Sequence, residues 1–524
     1  MSQSEVEIDK KVKVLVGNKY SRIVGDVEAK VILDLKRNLS YRVKGCEFIK
    51  SYVEGKWDGC ISLLDMDGMV FMSGLLSIVR QTLSTYGYTV SCEDRRKVPE
   101  KNFQELTFRP PPGMEYEERE YQKETVKRSM LFTRGVIQVG TGGGKTVIVT
   151  ELIGQLKVKP FVYFVMSYDL LEQAKETLET FLGVKVGVIG DGKCDIRDIT
   201  VCMVQTAVMC LHVNDTNFDP KKHKIDGDAV WDEDNVFIMN NADKIRKFIS
   251  ECVGLYFDEV HHAAADTCTE VVFAADNAYY KYGGSATPMR SDGKELVVQG
   301  LFGSKIVDIS ISYLTERNYL VPGYVFFTRV SVETGGSADD EYHKRYDSAV
   351  VDNEIFNNHV VDIVKLLQAN GILCLLLVQR IKHGKALQKM IPGSEFLSGK
   401  DKRKRRLQVI TSMRRKELKV LIATTLADEG LDIKPLQFVF MLSAGSSITR
   451  IPQRVGRGIR KSEGKKWGAF VYFRHTVKNL FEQGEQVRKI LEREPCLKIR
   501  NVKSLDRLKL DICNFINNQG ASEW

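Results

Sequence analysis

No stretch of this 524-residue chain approaches the roughly 18 consecutive apolar residues that a membrane-spanning helix requires, so no membrane role is expected. The opening MSQSEVEIDKK is too polar for a secretory leader. Cysteine occurs 11 times but never as a C-x-x-C pair. Cys194, Cys202 and Cys210 are spaced eight apart, and Cys202 falls in the strand-like run ITVCMV. Buried, reduced thiols of a cytoplasmic protein are therefore expected in place of a zinc site. A metal-dependent nuclease constellation is also missing: CEFIK offers only Glu47 and Lys50, too little for that chemistry. Residues 1–100 carry no marked charge excess, with 16 basic and 14 acidic side chains, so bulk charge gives no argument for polyanion binding there.

The net charge of +9 is concentrated towards the C-terminus, where 36 Lys and Arg stand against 22 Asp and Glu from residue 320 onward. Within that region the run KDKRKRR (Lys400 to Arg406) fits a solvated helix face or a polyanion contact. The domain-wide excess favours a polyanion partner, because each cation set against a phosphate releases condensed counterions. With 43% apolar residues the chain can bury real cores, and its length suits about three domains.

Residues 136–152, VIQVGTGGGKTVIVTEL, are the most informative segment. An apolar strand breaks into Thr141-Gly142-Gly143-Gly144 and resumes as a helix at Lys145-Thr146. Glycines let successive N–H groups curl inward around an anion, Lys145 adds a point charge for the β and γ phosphates, and the Thr146 hydroxyl is placed for Mg²⁺. Val139 departs from the pattern G-x-x-x-x-G-K-[ST], which has glycine there. Downstream, VGLYFDEVHHA puts Asp258 and Glu259 at the end of an apolar strand, the edge of a parallel sheet where ligands sit. Asp258 is a candidate Mg²⁺ carboxylate and Glu259 a candidate base for the attacking water. A helix-capping acidic pair is the plainer alternative.

Three units follow from the patterning. Residues 1–105 mix short strand-like runs with two helical patterns, as in a small α+β domain. The stretch FRPPPGMEYEERE has the composition of an exposed linker, 106–116. Beyond it, apolar strands alternate with helices twice over, which indicates parallel sheets covered on both faces. The expected fold class is α/β, with one lobe at 117–315, a second at 316–475 and a C-terminal helical tail at 476–524.

DEVH after TGGGKT resembles the superfamily 2 helicases, whose other motifs occur in order. REYQKETV resembles the adenine-reading Q motif, FVYFVMSYDLLEQA motif Ia and VCMVQTA the next strand-contacting motif; GGSATP, LLLVQRIKHGKAL, IATTLADEGLDI and IPQRVGRGIR resemble the later ones. The resemblance implies two tandem RecA-like lobes of the P-loop NTPase type, with ATP and Mg²⁺ as cofactors. It implies adenine reading by Gln122, nucleotide contacts from Gly430 and Asp432, coupling by Ser285 and Thr287, and nucleic-acid contacts by Gln205 and Thr206. Gln453, Arg457 and Arg460 are implied in catalysis. The spacing of Arg457 and Arg460 suggests one helical face and a pair of arginine fingers, so that ATP would close the cleft between the lobes.

YVEGKWDGCISLLD, followed by GLLSIVRQTLSTYGY, resembles the N-terminal domain of UvsW-type phage recombination helicases. Trp57 and Asp58 fit a buried turn equally well. The resemblance implies an ATP-dependent DNA helicase acting on forks, Holliday junctions and R-loops in recombination, replication and repair, in the host cytoplasm if viral. Its implied partners are single-stranded and branched DNA, RNA–DNA hybrids, and single-strand-binding or recombination proteins. The alternatives are an RNA helicase or R-loop remover, or a DNA-clamping motor subunit. The insertion at 213–251 reads as a surface element, with strand separation as a further role. Removing residues 1–105 is expected to leave ATPase stimulation by single-stranded DNA intact.

Overall fold

The computed structural model describes residues 10–114, 116–213, 215, 231–287, 293–331, 342–424, 433–442, 450–518 and 520. Two compact units result, one from Met1–Gln138 with Lys145–Asp308, the other from Val139–Gly144 with Ile309–Trp524.

Within the first unit, residues 10–94 form an α+β module. Its five strands lie in the order Leu64–Asp65, Val70–Met72, Tyr20–Val24, Lys11–Val16, Thr89–Asp94. Lys11–Val16 alternates exposed with buried positions, so Val12, Val14 and Val16 face inward under the helices Ala29–Asn38 and Leu76–Thr85. Trp57 and Asp58 hold a turn: Trp57 Nε1 donates to the Cys60 carbonyl at 2.7 Å, and the Cys60 amide donates to Asp58 Oδ1 at 2.9 Å.

The remainder of the first unit is an eight-stranded sheet in the order Lys193–Asp195, Gly187–Gly190, Ile199–Met203, Phe161–Val165, Gly254–Asp258, Tyr280–Ser285, Arg134–Val139, Lys305–Ile309. Lys193–Asp195 pairs antiparallel, whereas the central strands pair parallel. The central strands are buried on both faces, as a sheet covered by helices on each side demands.

The N-terminal module does not stand apart from this sheet. One apolar cluster runs from Val14 and Leu75 of the module to Phe257 and Phe302 of the lobe. The two backbones approach so closely at Gly74 that a Cβ there would lie 2.1 Å from the Gln299 carbonyl oxygen and 2.5 Å from that of Gly300. Tyr20 stacks on Phe273 at 5.5 Å, the Arg96 guanidinium lies 4.5 Å from the Tyr279 ring centre, and Arg134 donates to the Asn18 carbonyl at 3.3 Å. The composition-based linker also begins as packed chain. Phe103 and Leu106 are buried, Phe108 stacks on Phe181 at 5.1 Å, and the Arg109 amide donates to the Phe181 carbonyl at 2.7 Å. These anchors precede the three prolines, whose composition had dominated the reading.

The second unit holds a seven-stranded sheet in the order Ser394–Leu397, Val420–Ala423, Cys374–Leu377, Phe438–Met441, Gly468–His475, Gly323–Val330, Leu497–Val502. The segment at 476–524, expected as a helical tail, is part of this core. Leu497–Val502 pairs in parallel with Gly323–Val330, and Phe515 of the helix Leu505–Asn517 packs edge-on against Tyr324, Phe326, Phe438 and Trp467. A six-residue strand with mixed polarity, LKIRNV, carries too little apolar periodicity to stand out beside two helices.

Two histidines lie inside this unit. His383 Nε2 is 2.8 Å from Asn357 Oδ1, and the His475 ring lies edge-on to Phe356. Burial pushes both from 6.5 down to about 4. The unfolded chain binds these protons near pH 6.5 and the folded one only near 4, so stability present above pH 6.5 is lost as pH falls through that window. The loss is about 3 kcal/mol per histidine by pH 4. Thermal melts of this unit should therefore fall steeply from pH 7 to 5, and His383→Gln should flatten that slope; an unchanged slope would assign acid sensitivity elsewhere.

Candidate nucleotide site

The strand Arg134–Val139 delivers the glycine loop to the carboxyl edge of the first sheet. Gly142 and Gly144 adopt φ of +88° and +78°, the left-handed region that glycine enters freely. A Cβ on Gly143 would lie 2.4 Å from Val139 Cγ1, so the loop curls directly over the side chain that replaces the expected glycine. Lys145 and Thr146 then open the helix Lys145–Leu156.

Lys145 Nζ donates to Glu259 Oε1 at 3.3 Å. The second oxygen, Glu259 Oε2, accepts from Ser285 Oγ at 3.0 Å, and His261 Nδ1 lies 3.4 Å from that same oxygen and 3.2 Å from Ser285 Oγ. The Thr287 amide donates to Ser285 Oγ at 3.1 Å. Glu259 itself sits in the left-handed region at φ +48°, a conformation uncommon outside glycine and concentrated at functional sites. The strands Gly254–Asp258 and Tyr280–Ser285 are neighbours in the sheet, and that adjacency brings the acidic pair to Ser285.

The two adjacent carboxyls are driven apart electrostatically. Burial, then the charge of Glu259, raises Asp258 to about 7. Burial also works to raise Glu259, but Lys145, then His261 and Ser285, outweigh it and hold it below its ordinary value. Glu259 is thus the ionised partner, poised to accept a proton.

The donor set suits Mg²⁺ bound with a nucleotide. Thr146 and Asp258 are hard oxygen ligands, few enough that phosphate oxygens and water would complete an octahedron. Among the described residues there is no group of three or more His, Cys, Asp or Glu that could hold a metal ion by themselves.

Other expected site residues occupy varied positions. Gln122 is buried on the helix Glu120–Met130, where its Oε1 accepts from the Arg119 amide at 3.2 Å and closes a capping box. Gln205 and Thr206 open the helix Val204–Leu211, and Gln205 Nε2 donates to the Met166 carbonyl at 2.6 Å. Ser167, which stands in motif Ia, caps the helix Tyr168–Leu182 by accepting from the Leu170 amide.

Gln453 and Arg457 are buried on the helix Arg450–Gly458 of the second unit. Arg460 lies beyond the end of that helix, its backbone bridged to Leu320. The shared helical face expected from three-residue spacing is therefore absent, because Gly458 ends the helix first. In the same unit the glycine loop runs past this element: a Cβ on Gly456 would meet Thr141 Cβ at 2.3 Å, and one on Gly142 would meet Arg460 Cγ at 3.3 Å. Gly430 and Asp432 lie outside the described residues.

His261 was read only as part of the DEVH signature; its contacts with Glu259 and Ser285 depend on strand order, which the sequence does not state.

Comparison with known proteins supplies the family. The family model described as DNA helicase UvsW, N-terminal, matches residues 11–93, that of the type III restriction enzyme res subunit matches 115–290, and that of the helicase conserved C-terminal domain matches 358–462. A putative helicase of a Sulfolobus islandicus filamentous virus is 28% identical over 395 residues, covering 70% of this chain and 66% of its own length. The ATP-dependent DNA helicase uvsW of Enterobacteria phage T4 is 20% identical over 465 residues, covering 85% of this chain and 87% of its own. Among solved structures, a fragment of a putative HsdR subunit of a type I restriction enzyme from Vibrio vulnificus YJ016 shares the fold. Its TM-score is 0.53 at 16% identity, covering 79% of this chain and 72% of that one. The glycine loop, the acidic pair and the serine that binds it thus lie where matched models place a motor: the chain belongs to the superfamily 2 helicases and carries a UvsW-type N-terminal domain.

Proposed function

We propose that this protein is an ATP- and Mg²⁺-dependent DNA helicase or translocase that remodels forked, Holliday-junction and R-loop DNA. The observation that carries the motor reading is the Lys145–Glu259–Ser285 contact chain, which ties the phosphate loop, the base and the coupling strand together within 3.3 Å steps. The amides of Gly142 to Gly144 and the Lys145 ammonium bind and orient the phosphates, while Thr146 and Asp258 hold Mg²⁺. Bound Mg²⁺-ATP supplies the phosphoanhydride whose hydrolysis drives the cycle. Glu259 takes a proton from the attacking water, and the change of charge is felt at once by Ser285 and His261. Gln453, Arg457 and Arg460 stabilise negative charge as it develops, and Gln122 reads adenine.

The DNA reading is supported by the matched N-terminal model and by the T4 relative's name. In this reading Gln205 and Thr206 contact a single strand, and the module at 11–93 selects branched substrates. The test is ATPase stimulation by single-stranded DNA, branched DNA and RNA, with unwinding of a panel of forks, Holliday junctions, R-loops and linear duplexes. Strong stimulation by DNA and preferential unwinding of branched substrates are expected. Stimulation by RNA alone would establish the RNA helicase instead, and tight DNA binding without unwinding would establish a clamping subunit.

A further inference from the structure

A row of three tyrosines crosses the first sheet beneath the phosphate loop. Tyr163, Tyr256 and Tyr282 are register partners on three adjacent parallel strands, and all three are fully buried. Tyr282 has an evident anchor, since its hydroxyl donates to the Phe132 carbonyl at 2.7 Å. The other two point towards the site. The rings of Tyr163 and Tyr256 lie 4.7 Å apart, and the Tyr163 hydroxyl interacts with the side chain of Thr146. The Tyr256 hydroxyl is buried with no hydrogen-bond partner, in a space open only because residue 284 is glycine: a Cβ there would lie 1.8 Å from the oxygen.

A buried phenol with poor hydrogen bonding is worse for stability than phenylalanine, by about 1–3 kcal/mol for an unsatisfied hydroxyl. Phenylalanine is already the local choice at neighbouring Phe164 and Phe257. The hydroxyls therefore call for another role. Threonine in a helix divides between two χ1 rotamers, because its hydroxyl can also turn back to a carbonyl. Only one of them aims Oγ1 at a cation held with the phosphates.

We infer that Tyr163 is a positioning residue for the nucleotide's divalent cation: its hydroxyl fixes the Thr146 rotamer, and Tyr256, seated in the space Gly284 leaves open, holds the Tyr163 ring. The inference rests on the nucleotide-site reading above. It places the selectivity of the first ligand of Mg²⁺ in the sheet, one layer below the loop that binds the phosphates.

The experiment measures equilibrium binding of a fluorescent, non-hydrolysable ATP analogue across a Mg²⁺ titration, with thermal melting alongside. Tyr163→Phe is expected to raise the Mg²⁺ needed for half-maximal binding by about five- to tenfold, the loss of one hydrogen bond of ordinary net strength. Affinity without Mg²⁺ and the melting temperature should hold at wild-type values. Tyr256→Phe, one ring further from Thr146, should shift the midpoint less. In a Thr146→Ala background Tyr163→Phe should have no further effect, since the group it positions is gone. An unchanged Mg²⁺ midpoint, or an equal shift in both backgrounds, would overturn the inference. Lys145→Ala binding the analogue as tightly as wild type would instead overturn the nucleotide-site reading itself.

Discussion

Glu259→Gln and Lys145→Ala are expected to abolish turnover in opposite ways. In Glu259→Gln, ATP binding persists while DNA-stimulated hydrolysis falls by about 10²- to 10⁴-fold, the usual contribution of a positioned general base. Glutamine is nearly isosteric and still offers an oxygen to Lys145 Nζ or Ser285 Oγ, so the loop and the coupling strand keep a shared partner. It cannot take a proton from water. The variant should consequently accumulate in a nucleotide-loaded, DNA-bound state. Lys145→Ala removes the cation that faces both Glu259 and the phosphates, so nucleotide affinity and hydrolysis fall together, and no other lysine lies in the glycine loop. Equilibrium nucleotide binding, paired with steady-state ATPase rates, distinguishes the two. Loss of nucleotide affinity in Glu259→Gln would make that carboxylate a structural support for Lys145. Substantial hydrolysis by Lys145→Ala would remove the loop from the chemistry.

Deletion of residues 1–105 is expected to cost the first lobe its cooperative fold, and with it both ATPase activity and strand separation. The sequence alone suggested that a cut before three prolines would fall in free chain. The seam at Gly74, Met72 and the helix Glu295–Phe302 contradicts this, because the module closes one side of the cluster that contains Phe257, the residue immediately before Asp258. Truncation would expose apolar side chains such as Val297, Val298 and Leu301, and would remove Phe103 from beside Lys157. At about 25 cal/mol per Å² of apolar surface, uncovering several such side chains loses several kcal/mol, comparable with the whole stability of a domain. Solubility and calorimetric cooperativity of the truncated chain, compared with the full chain, provide the check. A soluble, sharply melting fragment with normal single-strand-stimulated ATPase would restore the independent-module view.

Much of the site was legible because its chemistry is local. The run from Thr141 to Thr146 needs only glycine's freedom and a helix start, and Asp258-Glu259 needs only an apolar strand before it. Contacts made across strands were not legible. Ser285 meets Glu259 because the strands that carry them are neighbours, and strand order depends on how crossovers wind, which composition does not encode. Arg460 was misplaced for a different reason. Helical spacing was extended through Gly458, where the chain leaves the helix. Gln122 illustrates two roles superimposed, since its capping bond to Arg119 is a purely structural duty that the motif resemblance hides. The packed strap at Phe103 to Arg109 and the edge strand at Leu497–Val502 were lost beside stronger signals, a proline run and two helices.

The reduced state of the cysteines has a practical corollary for spectroscopy. All 11 are free, and Cys46, Cys202, Cys210, Cys252, Cys268 and Cys374 are buried, with burial pushing the Cys210 and Cys252 thiols up to about 12. Cys92, on the strand Thr89–Asp94 of the N-terminal module, is the one classed as exposed. Maleimide dyes react with accessible thiolates, so mild labelling of the unmodified chain should place a fluorophore first at Cys92. The native sequence thereby offers an optical reporter on the module without a cysteine-free background having to be engineered.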